Sequence, residues 1–72
     1  MNLSLQLASM PDREKLVVEI LVGDAIAMEL SQEGEDPLLE IYPNPDGNPW
    51  VLPLHDLQNI LEQATKRLLA SE

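Results

Sequence analysis

Seventy-two residues with thirteen acidic and four basic side chains carry a formal net charge of −9, which opposes contact with nucleic-acid phosphates or an anionic membrane surface. With no cysteine and a single histidine, the chain offers neither a disulfide framework nor a thiolate or multi-histidine metal site, and no cofactor is expected. The length allows one domain whose ordering costs on the order of 100 kcal/mol of conformational entropy. One sheet under one helix barely offsets that cost, so a homodimer or an obligate protein partner is expected.

Residues 1–14 place Leu3, Leu5 and Leu7 at period two before Met10-Pro11-Asp12. The segment reads as an N-terminal arm or an extra edge strand, added to this chain or to a neighbour. It lacks the basic start and apolar centre of a signal peptide, and no apolar run in the chain approaches the length of a membrane span. Cytoplasmic residence is the expectation. Residues 15–72 read as a single ββ(ββ)α domain.

Residues 15–22 alternate, with Leu16, Val18, Ile20 and Val22 on one face, and predict a strand with a strong inner side. Gly23-Asp24 breaks it. Residues 25–32 then place Ile26, Met28 and Leu30 on one face. A two-residue loop at Gly23-Asp24 would set these two apolar rows on opposite sides of the sheet, so the pattern requires a three-residue loop or a bulge. A loop of Val22-Gly23-Asp24 predicts Ile20 opposite Ile26, Val18 opposite Met28 and Leu16 opposite Leu30.

Glu33-Gly34-Glu35-Asp36-Pro37 is an acidic turn, closed by a residue that cannot donate to a ladder. Residues 38–42 predict a third strand with Leu39 and Ile41 inward. Setting Leu30 opposite Leu39 and Met28 opposite Ile41 places Glu29 directly across from Glu40. Asn44-Pro45-Asp46-Gly47 suits a type I turn, because Asn accepts from the turn backbone, Pro presets φ, and Gly takes the positive φ that follows. Residues 50–52 are a short fourth strand at best, since Pro49 and Pro53 flank them.

The apolar positions Leu54, Leu57, Ile60, Leu61, Ala64 and Leu68 mark one face of a helix. Pro53 suits its start, Asp56 lies early, and Lys66 and Arg67 lie late, as the helix dipole favours. Glu62 and Lys66 form an i, i+4 pair. The predicted fold is α+β, an antiparallel three- to four-stranded β-meander packed on one C-terminal α-helix.

Ser31-Gln32-Glu33, Leu39-Glu40-Ile41-Tyr42-Pro43, Asn44-Pro45-Asp46-Gly47 and Pro49-Trp50, followed by a helix ending in Lys66-Arg67-Leu68, resemble a family of small uncharacterised bacterial proteins. The resemblance covers about residues 15–70 and implies a β-meander with one C-terminal helix. It implies no activity.

Catalysis is not expected, because a flat sheet in so small a chain has no cleft to exclude water. His55 lacks companion ligands, and the acidic turn lacks the ligand spacing of a helix-loop-helix calcium site. Glu19, Glu29 and Glu40 project from the outward face, beside Val17, Leu21, Ala27, Leu38 and Tyr42. The expected partner-binding residues are therefore Glu19, Glu29, Glu40, Tyr42, Asp46 and Trp50, facing a basic protein. An immunity-type role, covering the cationic surface of a toxin, is the leading expectation. The alternative is a self-associating homo-oligomer built by edge strands or by the mixed outer face.

Overall fold

The computed structural model describes residues 2–70; Met1, Ser71 and Glu72, at the ends of the predicted arm and domain, lie outside the described residues. Four strands, β1 (Leu3–Ala8), β2 (Val17–Val22), β3 (Ala25–Ser31) and β4 (Leu38–Ile41), precede one helix, α1 (Leu54–Ala70). They form an antiparallel sheet in the order β1-β2-β3-β4, the β-meander under a C-terminal helix that the residue pattern predicts. The fourth strand is β1, however, and not residues 50–52, which form no strand. Pro49 and Pro53 remove ladder donors on both sides of that segment. The Trp50 indole instead turns back, its Nε1 donating to the Tyr42 carbonyl at 2.8 Å.

The β2–β3 connection uses the bulge. Gly23 adopts φ +61°, which lets a tight turn hold only Gly23 and Asp24 between Val22 and Ala25. Leu21 then pairs with Ile26 while Ile20 pairs with Met28, so Ala27 has no counterpart in β2. That extra residue restores the phase and puts Val18, Ile20, Met28 and Leu30 together in the core. The three-residue loop expected above, with Ile20 facing Ile26, is therefore replaced. Ile26 falls on the far side of the bulge and is exposed, and Leu16 lies before β2 and is exposed as well.

Between β3 and β4 the expected register holds, with Met28 opposite Ile41, Glu29 opposite Glu40 and Leu30 opposite Leu39. The 44–47 turn also follows its sequence. The Gly47 amide donates to the Asn44 carbonyl at 2.9 Å, and Asn44 Oδ1 accepts from the Asp46 amide. Gly47 takes φ +83°.

Helix α1 buries Ile60, Ala64 and Leu68, the central stripe of its apolar face. The Leu57 amide donates to the Pro53 carbonyl, so Pro53 ends the loop at the helix entrance, where its missing N–H costs nothing. Lys66 and Glu62 approach to 3.4 Å on the exposed side. The helix packs on β1, β2 and β3 and leaves β4 uncovered. Leu39 and Ile41, expected to be roofed, lie on the helix side of the sheet but are 39% and 65% exposed.

Candidate functional site

The face turned away from the helix is not an open wet surface. Val17, Glu29 and Ser31 are all buried there, Glu29 to 1% exposure, and the β1–β2 connection, residues 9–16, lies across them. Ala27, expected outward, belongs at the bulge to the core cluster with Ile60, Ala64 and Leu68. A turn closes it, with the Arg13 amide donating to the Met10 carbonyl. Glu33 pins its far end by accepting from the Glu14 amide at 2.7 Å and the Lys15 amide at 3.2 Å. The acidic turn is thus partly spent on holding one loop to another.

Arg13 is the centre of this arrangement. Its Nη2 donates to Glu29 Oε2 at 3.0 Å and also to Glu40 Oε1. The cross-strand row runs Gln6, Glu19, Glu29, Glu40, one residue from each strand. Like charges opposed across strands repel, and each carboxylate of the row has a donor within the chain. Gln6 Nε2 donates to Glu19 Oε1 at 2.8 Å, Arg13 joins Glu29 to Glu40, and the Tyr42 hydroxyl donates to Glu29 Oε1 at 3.2 Å.

These contacts shift two groups. The hydrogen bond to Glu40 raises the Arg13 pKa above its ordinary value, with the Glu29 charge adding to it. Tyr42 is raised above the ordinary phenol value by burial first and by the Glu29 charge second. A tyrosine whose proton is held more tightly in the fold contributes stability that is complete below the unfolded-state pKa, about 10, and is lost as pH climbs through the folded value. Tyr42 is the sole tyrosine, so an ultraviolet phenol titration should show one midpoint above that of a denatured control. Tyr42→Phe should flatten the alkaline loss of stability. A midpoint at or below the denatured control would contradict the Glu29 contact.

The six expected partner-binding residues divide. Glu19 and Glu29 are buried and hydrogen-bonded within the chain, and Glu40 is half-exposed and already bound to Arg13. Asp46 lies at the surface, where its Oδ1 accepts from the Asn48 amide and stiffens the turn. Tyr42 leans over Glu29. Trp50 packs against the core and lines a cleft. Arg13, Gln6 and Glu33 were not among the expected residues. The one available signal was that Arg13 is the sole cation in the first fourteen residues of a strongly acidic chain.

The cleft is the uncovered ground between β4 and α1, about 310 Å³ in volume. Leu39 and Ile41 form one wall, Leu57 and Leu61 the other, with Met28 as the floor and Trp50 and Leu52 at one end. A second hollow, under the 43–50 turn, is an open dish formed by the turn itself. Neither is lined by Glu19, Glu29 or Glu40. Among the described residues no group of histidine, cysteine and carboxylates is placed to hold a metal ion. No described helix is long and apolar enough to cross a membrane.

The cleft lies beside an unpaired strand edge. The Tyr42 amide donates inward to the Ala27 carbonyl at 2.8 Å. Alternation along an antiparallel strand then turns the amides and carbonyls of Leu38 and Glu40 toward β3, and those of Leu39 and Ile41 outward. No family model, curated protein or solved structure matches this chain.

Proposed function

We propose that the chain is a non-catalytic protein-binding module that takes an extended protein segment as an added strand along β4, seating that segment's alternate apolar side chains in the cleft beside Trp50. The observation that carries this reading is the coincidence of outward-facing amides at Leu39 and Ile41 with apolar side chains that the helix leaves uncovered. Main-chain hydrogen bonds supply affinity in this mode of recognition, and pockets for alternate side chains supply selectivity. The glutamate row is a weaker docking surface, because Arg13, Gln6 and Tyr42 already satisfy it. An immunity-type role against a basic partner is the second reading, and the net charge of −9 favours it.

Amide hydrogen exchange tests the leading reading. A short synthetic peptide alternating valine and threonine, with lysine at both ends, should slow exchange at Leu39 and Ile41 and shift the emission of the single tryptophan. Protection confined to the acidic loops, or none at all, would remove support for strand addition.

A further inference from the structure

Building on the strand-addition reading, we infer that the segment this edge accepts is β4 of a second copy of the chain, the two related by a twofold axis through Glu40 and perpendicular to the sheet. The product is one continuous antiparallel sheet with both helices on the same side.

Residues directly opposite in an antiparallel pair project to the same face. A twofold axis that continues the sheet must therefore pass through a residue and not between two. Three residues of the edge qualify: Leu39, Glu40 and Ile41. An axis at Leu39 sets Ile41 against the partner's Pro37, and an axis at Ile41 sets Leu39 against the partner's Pro43. Proline has no N–H to give. An axis at Glu40 pairs Leu39 with the partner's Ile41 and Ile41 with the partner's Leu39, and each pair exchanges two main-chain hydrogen bonds. Only this register gives both the N–H and the C=O of Leu39 and of Ile41 a partner; in the other two, a carbonyl of one of them faces a proline with nothing to donate.

The side chains agree with it on both faces. On the helix side, Leu39 and Ile41 of the two copies form one apolar patch between the two clefts, covering groups that a lone chain leaves in water. The chain exposes 4879 Å², whereas a monomer of 8.0 kDa is expected to expose about 4,450 Å². On the other face the axis brings the two Glu40 side chains opposite one another, an arrangement that is ordinarily repulsive. Each is already bound by Arg13 of its own chain, which offsets part of that repulsion. The opposite edge of the sheet is a poorer candidate, because Leu3 and Leu5 of β1 already pack against the core beneath the helix.

The net charge sets the sign of the salt effect. Two chains of −9 each repel, so self-association should tighten as salt is raised, whereas capture of a basic partner should loosen.

The chain has no cysteine, so single-cysteine variants report the register directly. The Cα atoms of the two position-40 residues would lie about 4.5 Å apart in the non-hydrogen-bonded pair at the axis, within disulfide range. Glu40→Cys should form a linked dimer on mild oxidation about tenfold faster than Leu38→Cys or Leu5→Cys, whose counterparts lie beyond that range. In parallel, sedimentation of the native chain and of Glu40→Gln should show a dimer that persists without the Glu40 charge. Faster linkage at Leu39→Cys, Ile41→Cys or Leu5→Cys would overturn the assigned axis. Monomer at every concentration up to about 1 mM would overturn the self-partner. If the valine-threonine peptide still protects Leu39 and Ile41 in that case, strand addition stands and only the identity of the strand falls. If it does not, both fall.

Discussion

Ile41→Pro should leave the fold standing and weaken association at β4 by about 30-fold or more, the equivalent of losing roughly 2 kcal/mol of main-chain hydrogen bonding. The Ile41 amide faces outward, so proline there removes no bond to β3, and Glu40 before it is already extended, as a residue preceding proline must be. In the symmetric pair each copy would lose the donor it gives to the partner's Leu39. The neighbouring substitution makes the contrast. Glu40→Pro removes a donor that faces β3 and should lower the melting temperature directly. Circular dichroism melts together with sedimentation read both quantities. An Ile41→Pro chain that melts like Glu40→Pro, or that associates as well as the parent, would show that the edge does not face as assigned.

Ile20→Ala should cost about 2–5 kcal/mol of stability, the range for truncating a buried branched side chain and leaving a cavity. A domain of this size has about 4–11 kcal/mol in total, so the variant should lose a large share of its stability and melt at a clearly lower temperature. Ile20 is fully buried between β1, β3 and the helix. Ile41→Ala is the same chemical change at a position that is 65% exposed, and it should cost less than about 1 kcal/mol in the monomer. Denaturant unfolding at low protein concentration measures the two side by side. Equal losses would mean that α1 reaches across β4 in solution and that the cleft is closed.

The same pair of isoleucines shows where reading the sequence stops. Both occupy inward positions of alternating strands, and alternation alone places them correctly on the helix side of the sheet. Alternation does not state how far a helix reaches. That depends on the packing angle and on which strands lie beneath the helix, and here β1 occupies one flank, so the helix is centred on β1 to β3 and β4 is left bare. The local pattern of residues 1–14 is compatible with an arm or a strand, and the choice depends on the main-chain partners that β2 offers at its free edge.

The glutamates divide in the same manner. Opposition of Glu29 to Glu40 follows from pairing apolar rows across two strands, a local constraint that sequence expresses well. The opposition of Glu19 to Glu29 depends on the bulge at Ala27, and a one-residue irregularity is set by how the tight turn at Gly23 meets the core. Arg13 lies sixteen positions from Glu29 and twenty-seven from Glu40 along the chain. Nothing periodic links residues so far apart. Their meeting is decided by the path of the 9–16 connection over the sheet, and it leaves Glu29 and Glu40 sharing one guanidinium within the chain.

What the sequence determined alone is whatever rests on neighbours within a few positions: the alternating strands, the 44–47 turn with glycine at positive φ, the helix stripe from Leu57 to Leu68, and the need for one extra residue between β2 and β3. The tertiary structure alone decided which of the two permitted devices supplies that residue, which flank of the sheet the helix covers, and where the single early cation is placed. Short-range order is governed by backbone sterics and side-chain period, which each residue carries with it. Coverage and charge pairing are governed by distances between segments remote in the chain, which exist only once it has closed on itself.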